Sequence, residues 1–288
     1  MKKSIIILGV LAIVCAGAFF YLDRSSNGIV GFYWWKLMPG NVQAETRADI
    51  NGISLYYETY GEGSPVLVLH GGSAFIETMH NQITALADEH FVIAPDSRAH
   101  GRTSDAEGVP LSYVQMADDM IALMDLLDLE KADILGWSDG GNIGLDMAIR
   151  YPGRVGKLVT YGSNFHSNGL VPDGPGEGMT SSPDDPRWEV MRSFYQSVAP
   201  KPDYWPVFLD KVMTMWRSHP TFVVDDLSGI SAPTLVMAGE FDSIQEAHTR
   251  EMAASIPGAL LLIVEGEDHY APLLAPEKVT PQIVAFLK

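Results

Sequence analysis

The sequence predicts an α/β fold: a mostly parallel β-sheet flanked by helices on both faces, with a small helical cap inserted over one end. Three observations lead there. From Ile50 onward short apolar runs alternate with longer amphipathic segments, and strand–helix repetition of that kind builds parallel strands joined by crossover helices. Gly136-Trp137-Ser138-Asp139-Gly140 stands where one apolar run hands over to a helical segment. Near residues 164–228 the alternation fails, and two helical segments follow one another with no strand between them.

Residues 53–60 and 66–69 read as strands, 76–89 as a helix and 91–94 as a strand. In the helix expected over 112–127, Met116, Met120, Leu123, Met124 and Leu127 recur at three- and four-residue steps, while Asp118, Asp119 and Asp125 take other faces. That stripe belongs to a core. Residues 132–135 form the strand before the Gly-x-Ser-x-Gly turn, and residues 142–151 the helix after it, which Pro152 helps to end. Glycines flank the serine for a steric reason, since a Cβ at either position would collide with the approaching backbone. Further strands are expected at 158–161, 235–237 and 260–264, and a last helix at 280–287 with Pro281 in its first turn.

The cap begins with a stretch rich in Gly, Pro, Asp and Ser (164–185), followed by helical segments at 186–198 and 202–217. Trp188, Phe194, Tyr195, Trp205, Phe208, Met213 and Trp216 exceed what two short helices bury by themselves. They either line a pocket above the sheet or pack on the main body.

The N-terminus reads as a separate unit, residues 1–24. Lys2 and Lys3 precede residues 4–22, which carry no charge and at about 1.5 Å per residue nearly span a hydrocarbon core of about 30 Å. The lysines favour an N-terminus left in the cytoplasm and a body carried across the membrane. A retained anchor is favoured over cleavage at Ala16-Gly17-Ala18, because the apolar run continues to Leu22; with cleavage the body would be secreted or periplasmic. Val14, before Cys15, departs from a lipoprotein signal. Residues 25–48 read as a linker. Its aromatic cluster Phe32-Tyr33-Trp34-Trp35 suits either a membrane interface or packing on the domain, which then occupies 49–288.

Composition narrows the function. The formal charge of −17 repels phosphate backbones, so nucleic acid is excluded as a partner. Cys15, the only cysteine, lies in the apolar run, and the eight histidines are scattered without zinc-ligand spacing. Neither a metal nor an organic cofactor is expected.

What remains is nucleophilic chemistry. A serine hydroxyl attacks only when a base takes its proton, and that base needs a carboxylate to orient it. In nucleophile-elbow hydrolases the chain order is Ser, acid, His. Asp242 follows the strand at 234–238 through Gly239-Glu240-Phe241, and His269 follows the strand at 260–264 through Glu265-Gly266-Glu267-Asp268. Both stand just past carboxyl ends of strands, where open α/β sheets place their sites. Ser138, Asp242 and His269 are therefore the candidate catalytic residues, with Glu240 and Glu246 as other possible acids and Glu267 or Asp268 as other orienters. His248 reads as a packing or solvated residue, and His70 and His100 as structural. The oxyanion formed on attack needs two backbone N–H donors: Gly72, in His70-Gly71-Gly72-Ser73, and Asp139 at a helix N-terminus, with Ser73 as a replacement for Gly72.

These motifs, with Asp96-x-Arg98-x-His100-Gly101-x-x-Ser104, Pro233-Thr234-Leu235 and Gly266-x-x-His269, resemble the capped α/β-hydrolase-fold serine hydrolases from about Ile50 to the C-terminus. Ala99 stands where that family more usually has glycine. Serine rather than aspartate as nucleophile separates the chain from the dehalogenase and epoxide-hydrolase branches. Gly-Trp-Ser-Asp-Gly-Gly is similar to the biphenyl-hydrolase-like branch, which includes hydrolases of amino-acid esters, and there the Asp139 side chain could pair with a substrate ammonium. The resemblance implies a carboxylic-ester hydrolase acting on small molecules through an acyl-enzyme. Aminopeptidase, amino-acid ester hydrolase and lactonase, and more distantly perhydrolase and carbon–carbon bond hydrolase, are the alternatives with the same triad, and a tethered binding protein without catalysis is the alternative from another class.

Overall fold

The computed structural model describes residues 22–172 and 182–288. Its strands are β1 (Val42–Ile50), β2 (Ile53–Tyr60), β3 (Ser64–Leu69), β4 (His90–Pro95), β5 (Ala132–Trp137), β6 (Val155–Tyr161), β7 (Thr234–Phe241) and β8 (Leu260–Asp268). The helices are α1 (Ile29–Lys36), α2 (His80–Leu86), α3 (Tyr113–Leu126), α4 (Asp139–Arg150), α5 (Glu189–Val198), α6 (Trp205–Ser218), α7 (Val224–Ser228), α8 (Glu246–Ser255), α9 (Ala271–Leu274) and α10 (Pro276–Leu287). The apolar N-terminal run, apart from Leu22, lies outside the described residues, as does part of the Gly-rich entry to the cap. Among the described residues no helix is long and apolar enough to cross a membrane.

One sheet holds all eight strands in the order β1-β2-β4-β3-β5-β6-β7-β8. β3 to β8 pair in parallel, and β2 joins β4 and β1 antiparallel. Alternation along each central strand feeds two cores. Leu67 and Leu69 face the core shared with α3, α4 and α8, whereas Val66 and Val68 face the one shared with α1, α2 and α10. From β3 the chain steps to β4 on one side and then to β5 on the other. The loops after β3 and β5 therefore meet at the switch point, where such sheets bind ligands.

The segment read as a linker is structured. β1 is an edge strand whose inward residues are only Val42, Ala44, Thr46, Ala48 and Ile50, a weak apolar signal that the pairing with β2 overrides. Phe32 of α1 is buried and stacks on Trp35, so part of the aromatic cluster packs on the domain. At the other end, α10 starts at Pro276 rather than near 280. Pro276 takes the first-turn position, and Pro281 falls inside the helix.

Asp119, expected on a face away from the methionine stripe, is fully buried. It receives Arg98 through both oxygens, at 2.8 and 2.6 Å, and Asn51 Nδ2 at 3.0 Å. This ties α3 to the loop after β4, in which Ala99 holds φ 65°. That left-handed conformation explains the family's usual glycine. Removing one partner of such a pair strands a buried charge. Asp119→Ala should cost about 3–5 kcal/mol in urea unfolding, and a loss below about 1 kcal/mol would show that the pair does not hold this loop.

Candidate active site

Ser138 sits between β5 and α4 with φ 54° and ψ −118°, and its N–H donates to the Tyr161 carbonyl at 2.7 Å. So sparsely populated a conformation costs about 1–3 kcal/mol, and the turn is possible only because its flanks are bare. A Cβ on Gly136 would strike the backbone of Gly140, and one on Gly140 the carbonyl of Leu69. α4 begins at Asp139, three residues before the expected start, directly behind the serine.

Three strand ends converge on the hydroxyl. His269 Nε2 lies 3.0 Å from Ser138 Oγ, and His269 Nδ1 lies 2.8 Å from Asp242 Oδ1. Asp242 also accepts the N–H groups of Ile244 at 3.1 Å and Gly239 at 3.2 Å, which fixes its carboxylate. The other acids are engaged elsewhere: Glu240 accepts Gly266 N–H, Glu246 pairs with Arg250, Glu267 with Lys278, and Asp268 accepts Tyr270 N–H. Burial alone would lower the imidazole pKa, but the charge and hydrogen bond of Asp242 outweigh it and hold His269 above its ordinary value. The arrangement has a base facing a hydroxyl, and a carboxylate holding the base's other nitrogen.

His70, His100 and His248 take structural places. His70 Nε2 accepts Ser97 N–H at 3.0 Å, so Nδ1 donates to the Gly71 carbonyl at 2.7 Å and braces the loop after β3. Burial pushes His70 down to about 3 and His100 to about 4. His100 meets the Phe208 ring edge-on, and His248 stacks on Phe165 at 4.0 Å.

The loop after β3 abuts the serine: a Cβ on Gly71 would lie 3.3 Å from Ser138 Cβ, and one on Gly72 would strike the Asp139 carboxylate. Gly72, Ser73, Ser138, Asp139 and His269 all border a cavity of about 710 Å³, a size suited to a small-molecule ligand. Asp139 is buried, and burial raises its pKa against the pull of two donors. Tyr113 Oη donates to Oδ1 at 2.7 Å, and Trp216 Nε1 donates to Oδ2 at 2.9 Å. α5 and α6 form the expected cap, and its aromatics divide between the two roles. Phe194 and Trp216 line the cavity, whereas Trp188, Tyr195, Trp205, Phe208 and Met213 are buried in the core.

Sequence reasoning missed four positioning residues besides Trp216. Trp137 Nε1 donates to the His269 carbonyl and Tyr161 Oη to the Asp268 carbonyl, each at 2.8 Å, pinning the histidine loop. Tyr113 braces Asp139. Gly162 has φ 60°, and a Cβ there would lie 2.7 Å from His269 Nδ1 and 3.0 Å from Asp242 Oδ2. Its position just after β6, in line with the other strand ends, was the available signal. Gly162→Ala should slow labelling of Ser138 by a serine-directed fluorophosphonate by about a hundredfold while circular dichroism stays unchanged; wild-type labelling rates would remove this constraint.

Residues 66–282 match the model of the alpha/beta hydrolase family. Over 257 residues the chain is 28% identical to a putative carbamate hydrolase, RutD, of Azorhizobium caulinodans, covering 81% of this chain and 94% of that one. Over 132 residues it is 35% identical to the human serine hydrolase BPHL, covering 44% and 45% of the two chains. A thermophilic esterase from Thermogutta terrifontis superposes with a TM-score of 0.68 at 26% identity, over 85% of this chain and 98% of the other. With the family match spanning most of its length, and a switch-point site on the sheet that such enzymes share, this chain belongs to the alpha/beta hydrolase family.

Proposed function

We propose that the protein hydrolyses carboxylic esters through a covalent acyl-enzyme. The observation that carries this reading is the continuous hydrogen-bonded path from Ser138 Oγ through His269 to Asp242, with Ser138 and His269 bordering the cavity. In it, His269 Nε2 takes the hydroxyl proton as Oγ attacks the carbonyl carbon. The oxygen gains charge and receives the N–H groups of Gly72 and Asp139, the latter at the positive end of α4; one such donor is worth about 3 kcal/mol of barrier. Collapse breaks the acyl–oxygen bond, and the imidazolium protonates the leaving alcohol. A water then repeats the sequence and frees the acid. Asp242 keeps Nδ1 protonated and steadies the positive ring.

Among the alternatives with the same triad, an amino-acid ester would need a carboxylate for its ammonium. Both Asp139 oxygens already receive donors, Tyr113 and Trp216, so we assign this side chain to holding the cap and favour uncharged acyl groups. The carbamate named for the Azorhizobium relative would use the same attack on a carbonyl. We also propose that the enzyme is exported and stays tethered by residues 4–22. The support is the sequence: the length of that uncharged run and the two lysines before it.

A fluorophosphonate should label the wild-type protein and not Ser138→Ala, and an unlabelled wild type would favour the binding-protein alternative. The pH profile has a defined direction. His269 must be neutral to accept the proton, and its pKa lies above the ordinary value of about 6.5, so kcat/KM for an ester should fall as pH drops, with a midpoint above 6.5. Activity constant from about pH 5 to 8 would remove His269 from the base role.

A further inference from the structure

The cavity reaches the surface next to the end of the apolar run. Ser25, Ser26, Asn27 and Ile29 border it, and Leu22, the last residue of the run, stands three positions before Ser25. Three residues span at most about 11 Å. Leu22 to Ser25 is a helical turn, and the Asp23 carboxylate accepts Gly31 N–H at 2.6 Å, so the end of the run is fastened to α1. Where cavity-lining residues are also exposed, they mark its mouth. Val190, Phe194, Tyr270 and Leu274 are exposed there, Val190 to 64%, and form an apolar side of a mouth whose other exposed residues are Ser25, Asn27 and Arg187.

α1 has two chemically different sides. One is locked to the body: Phe32 is buried, Tyr33 Oη donates to Glu77 at 2.9 Å, and Lys36 meets the buried Glu58 at 2.7 Å. On the other lie Val30 and Trp34, continued by Leu37 and Met38 in the turn that follows α1, and the last three are exposed, Leu37 to 77%. An aromatic and two aliphatic side chains held outward beside a bilayer-length apolar run form the pattern of an interfacial helix. With −17 formal charge the body would not settle on an anionic surface unaided. The attachment would come from residues 4–22, the tether proposed above, whose uncharged run ends beside α1.

We propose that the exposed face of α1 rests in the surface of a lipid bilayer, with the cavity mouth turned toward it, so that the substrate is an ester with a long apolar acyl chain taken from the lipid phase. This rests on the ester-hydrolase reading above. The acyl–oxygen bond of the lipid breaks, the Ser138 ester forms, the alcohol leaves with the proton from His269, and water then releases the fatty acid.

The test uses the full chain in phosphatidylcholine vesicles, with p-nitrophenyl palmitate dissolved in the bilayer and p-nitrophenyl acetate in the water, for wild type and Leu37→Asp. Leu37 touches neither cavity nor core, so acetate turnover monitors folding. The expected result is palmitate hydrolysis by the wild type that falls about tenfold or more in the variant, with acetate turnover unchanged. Equal loss on both esters, no loss on either, or a wild type that cleaves acetate but not palmitate would overturn the membrane assignment. A wild type that cleaves neither ester would end the ester-hydrolase reading, and this inference with it.

Discussion

The hydroxyl of Ser138 faces the imidazole of His269 only because the backbone at the serine is held at φ 54° and ψ −118°, between a strand and a helix that approach to backbone contact. An ordinary extended or helical conformation would turn Oγ away from the histidine and carry the Asp139 amide away from the same point. The cost of about 1–3 kcal/mol is local. The surroundings impose it: Ser138 N–H is bonded to β6, Gly136 and Gly140 admit the close approach, and the sheet below is buried on both faces. The partners follow from the parallel sheet, in which every strand ends at the same rim. The termini of β5, β7 and β8 then bring Ser138, Asp242 and His269 together without a long loop among them.

The second constraint is the Asp139 carboxylate. Burying it is costly unless each oxygen finds a donor, and the donors come from different layers, Tyr113 from α3 and Trp216 from the cap. One side chain therefore joins the nucleophile helix, the body and the lid of the cavity. A Cβ at Gly72 would strike both the Asp139 carboxylate and Trp216, so the loop after β3 is fitted to the same contact. Most of the other cap aromatics are spent on burial, which fixes the cap on the body. Phe194 and Trp216 stay at the cavity.

The sequence carried the central strands and the triad candidates because those signals are local: apolar runs of strand length ending in Gly-rich turns, with reactive residues one step beyond; the contacts of Asp242 and of its acidic neighbours decided among the acids. It did not carry β1, whose inward Ala, Thr and Val residues give little apolar contrast and whose pairing depends on β2. It did not carry α1 either, since Phe32 and Lys36 are placed by Tyr60 and Glu58, partners from β2. Gly162, Trp137, Tyr161 and Tyr113 look ordinary along the chain. Their roles arise from contacts across the rim, and only the position of Gly162 after a strand hinted at one. Asp119 shows the limit of periodicity: a charged residue off the apolar stripe is exposed by default, until a buried Arg98 gives it a partner.

The central claim is that Ser138 carries the acyl group between two half-reactions. Rapid-quench peptide mass spectrometry during turnover of a p-nitrophenyl ester tests it most directly. An adduct of acyl mass on the peptide containing Ser138, appearing together with a burst of p-nitrophenolate, is expected. Steady turnover with deacylation shown to be slow, yet with no adduct on that peptide, would contradict it.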